Sequence, residues 1–153
     1  MKRILLTAYF VIVAACLTSC RSTSVQYYNV IKGNLDVKST EGNQFTANFL
    51  NDELQSYELT IYGEMGKSEY NFFTNNGSIF LIHTNTDYPE SFTLDGAKKY
   101  TTKFVAKNDE LLIYDYENKK IILSSLIDDE QQRVFNNALD FEQKIINGEF
   151  EED

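Results

Sequence analysis

The sequence predicts an α+β domain: a meandering antiparallel β-sheet of about six or seven strands, closed by one C-terminal amphipathic helix. Three observations predict it. From about residue 43 the apolar residues recur with a period of two. Asparagine-containing pairs interrupt that pattern at short intervals, most clearly at Asn76-Gly77. After residue 128 the apolar period lengthens to that of a helix.

Taken in order, residues 25–38 read either as a strand pair or as a short helix, and strand is preferred. "QFTANFL" and "YELTIY" are two strands that pair across Asn51-Asp52. In the second, Tyr57, Leu59 and Ile61 share one face, and Glu58, Thr60 and Tyr62 the other. "GEMG", 63–66, is a turn. "EYNFFTNNGSIFLIHTN" is a hairpin about Asn76-Gly77, a pair suited to the two positive φ values of a type I′ turn. That turn sets Phe73 against Phe80, Phe72 against Leu81 and Tyr70 against His83. Both hairpin faces are therefore apolar near the turn. Residues 86–98 form a longer loop. "YTTKFVAKNDELLIYDYENKKIIL" splits into three strands at Asn108-Asp109 and Asn118-Lys119, with Lys107 opposite Glu110 and Glu117 opposite Lys120. Asp128 and Gln131 form an approximate capping box, acids fill the first helical turn, and Gly148 is suited to the C′ position. Val134, Phe135, Ala138, Leu139, Phe141, Ile145 and Ile146 fall on one face. Residues 149–153 read as a frayed tail.

The start of the chain is of another kind. Lys2 and Arg3 precede an apolar run from Ile4 to Leu17, too short to cross a bilayer, which takes about 20 residues. A positive start and a short apolar run are the layout of an export signal. Leu17-Thr18-Ser19-Cys20 resembles the lipobox of bacterial lipoproteins. The resemblance implies cleavage before Cys20 and lipidation of its thiol, leaving residues 1–19 as signal peptide, 20–153 as a single mature domain and 20–24 as a short tether. Val13-Ala14-Ala15-Cys16 also fits a loose lipobox, but it would shorten the apolar run and leave Cys20 as a stray thiol. Cleavage by an ordinary signal peptidase is disfavoured by Leu17 at the −3 position. Two or three acyl chains hold durably, where a single chain binds only marginally. Some Bacteroidetes lipoproteins carry acids just after the cysteine, resembling a surface-export tag. "RSTSVQ" has none, which favours the periplasmic face of the inner or outer membrane.

Removing 19 residues from 153 leaves 134, enough for one core without disulfides. Twelve basic residues then face 23 acids, a net charge of −11. Residues 128–153 alone hold nine acids against Arg133 and Lys144. This balance argues against nucleic acid, which requires clustered Lys and Arg, and against headgroup docking by a basic patch. A basic protein is the partner class that the acidic surface suits.

The residues of reactive type are few. His83 is the only histidine, so it has no second His for a usual zinc site, and without the leader cysteines no thiol nucleophile remains. Gly63 and Gly66 lack the Lys-Ser/Thr of a phosphate loop. Asp87, Glu90 and Asp95 lack the order of a calcium loop. No catalytic residue, metal or cofactor is assigned. One helix shields one face of a sheet, yet the central hairpin is apolar on both. Either the sheet curls on itself, the N-terminal segment covers the second face, or a partner does. Tyr62, Tyr70, Tyr114 and Tyr116 suit a half-wet binding face.

"YGEMGKSEYNFFTNNGSIFLIH" resembles a pattern in small uncharacterised lipoproteins of the Bacteroidetes, in which an aromatic strand, an Asn-Gly turn and an aliphatic strand recur. The resemblance implies no activity. The expectation is a lipid-anchored envelope lipoprotein acting as a non-catalytic binding module, of inhibitor or immunity type. The alternatives are a small envelope enzyme using carboxylates or His83, and a structural envelope component.

Overall fold

The computed structural model describes residues 26–91, 94–108, 110–115 and 118–153. They form one antiparallel sheet of nine strands and one long helix. The strands are β1 (Tyr28–Leu35), β2 (Asn43–Leu50), β3 (Glu53–Gly63), β4 (Gly66–Asn75), β5 (Ser78–Asp87), β6 (Lys98–Lys107), β7 (Glu110–Asp115), β8 (Lys120–Leu123) and β9 (Phe150–Glu152). A 3₁₀ turn, Ser124–Leu126, leads into α1 (Asp129–Asn147). The spatial order is β8-β7-β6-β5-β4-β3-β2-β1-β9. Eight strands thus follow the chain as a meander, and the ninth returns beside the first.

Local chemistry explains the regularity. Asn76 and Gly77 have φ of 49° and 72°, the left-handed conformations that the tight turn requires. The register that follows pairs Phe73 with Phe80, Phe72 with Leu81 and Tyr70 with His83, as the sequence predicts. Asn51, Asp52 and Asn108 also take positive φ at the neighbouring turns. Lys107 stands opposite Glu110.

Three expectations need correction. The sheet has nine strands rather than six or seven, because residues 28–35 form a full strand and the C-terminus adds another. Lys120 pairs with Asp115 rather than Glu117, so a four-residue connection replaces the two-residue turn. Lastly, the tail expected to fray pairs with β1: Phe150 lies opposite Leu35 and Glu152 opposite Gly33. Gly33 permits this approach, since a Cβ there would run into the Glu151 carbonyl oxygen. Phe150 then packs edge-on against Phe45, with ring centroids 5.1 Å apart.

The core lies between one face of the sheet and α1. A row of cross-strand neighbours, Tyr57, Phe72, Leu81, Phe104 and Ile113, runs across β3–β7 and is almost free of solvent. Phe135, Ala138, Phe141 and Ile145 of α1 close over it. Burying each large side chain stabilises the fold by roughly 1.5–3 kcal/mol. The Tyr57 hydroxyl donates to the Ala138 carbonyl at 2.7 Å, which fixes the helix over the sheet. Asp128 and Gln131 cap the helix reciprocally: the Gln131 N–H donates to Asp128 Oδ1 at 2.8 Å, and the Asp128 N–H to Gln131 Oε1 at 3.4 Å. Gly148 closes the other end with φ of 72°, and Lys144 Nζ donates to the Asp36 carbonyl at 2.8 Å.

No helix among the described residues is long and apolar enough to cross a membrane.

Candidate functional site

Toward the end of the sheet where β5 finishes and β6 begins, the covered face changes from apolar to polar. The cross-strand row after Phe72 and Leu81 reads Leu59, Tyr70, His83, Thr102, and the next reads Ile61, Ser68, Asn85, Tyr100. Above them stands the N-terminal half of α1, whose polar residues Glu130, Arg133 and Asn137 are spaced to share one stripe. Sheet and helix enclose a cleft of about 910 Å³. His83, Asn85 and Tyr100 form much of its floor, Arg133 and Asn137 its roof, and Asp87, Asp128 and Glu130 supply carboxylates. A smaller depression of about 410 Å³ shares Lys38, Ser68 and Asn85 with it and extends to Tyr62 and Lys67.

His83 is the most unusual group in the cleft. Its ring lies 4.7 Å from that of Tyr70, tilted by 49°. Its Nε2 is buried and has no hydrogen-bond partner among the described residues. Burial lowers its pKa to about 4, so the imidazole is neutral at pH 7. Tyr70 is also buried. Burial raises its pKa, and a side-chain hydrogen bond with Asn137 partly offsets that rise. The Tyr70 ring meets Phe141 edge-on at 5.2 Å. On α1, burial raises the pKa of Glu142.

Of the tyrosines singled out by the sequence, the three described ones do not share one face of the sheet. Tyr70 is 5% exposed, a core residue bordering the cleft rather than a half-wet contact residue. Its opposite number, His83, has the parity of the covered face, and that parity places Tyr70 under the helix. Tyr62 and Tyr114 have the other parity and lie on the opposite face of the sheet. Three strands separate theirs, a span of about 19 Å at ordinary strand spacing. Tyr116 lies outside the described residues, as do Cys16 and Cys20 with the whole leader. Asp87, Glu90 and Asp95 do not converge: among the described residues no group of three or more His, Cys, Asp or Glu is placed to hold a metal ion.

Sequence reasoning missed Tyr100, Arg133 and Asn137. Tyr100 stands two residues before Thr102, and so has its parity. Arg133 and Asn137 are four apart, on the stripe beside the buried one. Those spacings mark faces, but only the docking of α1 shows that the two faces meet.

These features define an open antiparallel sheet with one helix over one face and a polar cleft at the helix N-terminal half. No protein-family model matches the chain, and no curated protein or solved structure is similar enough to count as a match.

Proposed function

We propose that this chain is a lipid-anchored envelope lipoprotein, held through Cys20 on the periplasmic side, that binds a basic protein without catalysing a reaction. The observation that carries the binding reading is the cleft. Its volume of about 910 Å³ is that of a ligand site, and Asp87, Asp128 and Glu130 outnumber Lys38 and Arg133 in its lining. The neighbouring helix and tail add to the negative field, since residues 128–153 hold nine acids against two bases. A cationic loop or side chain of a partner protein is the ligand that such a lining attracts. Support for the anchor comes from the order of positive start, short apolar run and lipobox in residues 2–20.

A second reading, an acid–base enzyme, has one observation in its favour: His83 presents beside the cleft a nitrogen with no hydrogen-bond partner among the described residues. A base with a pKa of about 4 is weak at neutral pH, however, and the Tyr70 ring occupies one side of it. Binding is therefore the better account of the same groove.

Two experiments test the proposal separately. Intact-mass analysis of protein from the envelope checks the anchor, with an acylated N-terminal cysteine as the expected result. A photo-crosslinking residue at Tyr100 checks the cleft. We expect an adduct to a basic protein, weakened by salt and by the double substitution Asp87→Asn with Glu130→Gln. Failure to crosslink in cells, or an adduct indifferent to both changes, counts against a charged cleft partner.

A further inference from the structure

The face of the sheet turned away from α1 is open along the middle of β4–β8, whereas Ser78 and Thr86 at the two ends of β5, which share this face, are buried. Its central row, Phe73, Phe80, Val105, Leu112 and Leu123, lies one residue from the buried row; Phe73 and Leu123 are exposed, and the three between them are half-buried. Phe73 and Phe80 stack face to face at 4.8 Å, with Phe73 still 39% exposed. On the outermost strand, Ile121 and Leu123 are 66% and 56% exposed. Contiguous apolar surface of this kind marks an interaction site.

Its charge is the reverse of the molecule's. Strand alternation puts Lys99, Lys103 and Lys107 on this same face, because residues four apart on a strand point the same way. Among the described residues, the other charged side chains on the open face of β4–β8 are Lys67 and Glu69, paired at 2.8 Å, and Glu110 opposite Lys107, and Lys103 itself has an interaction partner. The patch is net positive in a chain of net charge −9. Whole-chain composition hides this, since residues 128–153 hold nine of the 23 acids, although Glu53 and Glu58 of the neighbouring β3 share the open face.

We propose that the open face of β4–β8 lies flat against a bilayer surface containing anionic lipid. Aromatic and aliphatic side chains enter the interfacial region, and the lysines reach back to the headgroups. The inference rests on the anchored reading above. Six residues lie between Cys20 and Tyr27, the residue before β1, so the acyl chains stay within about 25 Å of that strand, close enough to seat the sheet on the same leaflet. Tyr28 and Val30 of β1, 76% and 56% exposed, share the open face on the tether side, beyond Glu53 and Glu58 of β3. Each Lys near an anionic surface adds to the attraction, and tethering removes most of the entropy cost of meeting it. With this face on the membrane, α1 and the cleft point away from it, toward soluble partners.

The test is lysine acetylation, read by mass spectrometry, on the full processed protein in detergent and in vesicles. We expect Lys99, Lys103 and Lys107 to react several-fold more slowly in phosphatidylcholine vesicles containing phosphatidylglycerol than in detergent. Protection should be weaker on phosphatidylcholine alone, while Lys38 and Lys144 react equally in all three. Substituting Ile121→Asn with Lys107→Gln should restore reactivity at Lys103 without moving the urea midpoint. Equal reactivity in vesicles and detergent overturns the proposal. So does protection indifferent to phosphatidylglycerol or to the double substitution. Protection already present in detergent, in a species of doubled mass, assigns the face to a second copy. Protection seen only in native envelopes assigns it to a protein. Both outcomes overturn membrane docking. The intact mass of the same sample reports the anchor independently: an unmodified Cys20 removes the tether, while the footprint still reports the face.

Discussion

On the covered face, Tyr57, Phe72, Leu81, Phe104 and Ile113 make a continuous row with almost no solvent contact. On the open face the adjacent row of Ser56, Phe73, Phe80, Val105 and Leu112 crosses the same five strands with Phe73 exposed and the others half-buried. The two rows are similar in residue type over β4–β7 and differ in cover. Stability resides in the first, where α1 excludes water. The second is free for recognition, because removing a side chain there leaves no cavity. Phe72 and Phe73, neighbours on β4, sample both environments, so substituting each in turn is the sharpest way to break the comparison.

The largest effect is expected at Phe72, which is 1% exposed and stacks on Tyr57 at 4.9 Å. Phe72→Ala leaves a cavity under the helix and should lower stability by about 3–5 kcal/mol, seen as a large drop in the urea midpoint. A drop no larger than that of Phe73→Ala would mean that the helix does not seal this face.

Next comes His83, on the covered face but at its polar end. Its folded pKa of about 4 lies below the ordinary value of 6.5, so between those values the unfolded chain binds more protons. Stability is therefore fully present above pH 6.5 and declines as pH falls toward 4, by up to about 3 kcal/mol. Glu142 acts with the opposite sign, because burial raises its pKa and protonation then favours the folded state near and just above its ordinary range. The wild-type fall should therefore be steepest between pH 6.5 and 5. His83→Gln should flatten that limb of a melting-temperature profile. An unchanged slope would mean that the imidazole is solvated in the folded protein.

How much of this was legible in the sequence depended on whether one residue pair settled the geometry. Asn76-Gly77 settled the central hairpin, and every pairing read from it from Thr74–Ile79 to Tyr70–His83 is present. The same register contained the correct place for Tyr70, since its row includes Leu59, but tyrosine's amphipathic character pointed outward while its parity pointed in. The lysines at 99, 103 and 107 were masked by a whole-chain charge balance that does not resolve faces. β9 was hidden by the acids of "EFEED". Its signal was in the partner strand, where Gly33 leaves room for another backbone. The cleft required the docking angle of α1, which no local spacing encodes. The proposed anchor rests on a different kind of legibility: processing enzymes read a leader as a linear string, so order of charge, apolar length and cysteine is the information on which that proposal draws.

Within the covered face, Tyr57→Phe isolates the link between sheet and helix. The substitution keeps the ring and its stacking but removes the hydroxyl that donates to the Ala138 carbonyl. The Ala138 carbonyl keeps its helical bond from residue 142, so the loss is that of one ordinary hydrogen bond, about 0.5–1.5 kcal/mol. Tyr57 is 0% exposed and burial raises its pKa far above the ordinary tyrosine range, so the hydroxyl remains a donor at any working pH. Amide exchange should quicken along Asp129–Asn147 before it quickens in β4 and β5, because the helix loses its tie while the strand ladder does not. Uniform acceleration across both would show that helix and sheet open as one unit and that the hydroxyl is not a local fastening.

The smallest effect on stability, and the most telling for function, is expected at Phe73. Its ring stacks on Phe80 in nearly parallel planes, 5° apart, with solvent on the far side. Phe73→Ala forfeits that pair, worth about 0.5–1.5 kcal/mol, and leaves a shallow surface depression that water fills rather than a void. The urea midpoint should therefore shift little, whereas Phe72→Ala, one residue away, shifts it greatly. Membrane protection of Lys103 and Lys107 should nevertheless fall several-fold, since an aromatic ring at the interface is lost while the lysines remain. A large stability loss at Phe73 would make this row a second core that the sheet needs for folding. A small loss with protection unaltered would place the contact elsewhere on the face. Only a small loss with protection removed separates the two faces as proposed, one holding the fold and the other holding the protein to its surface.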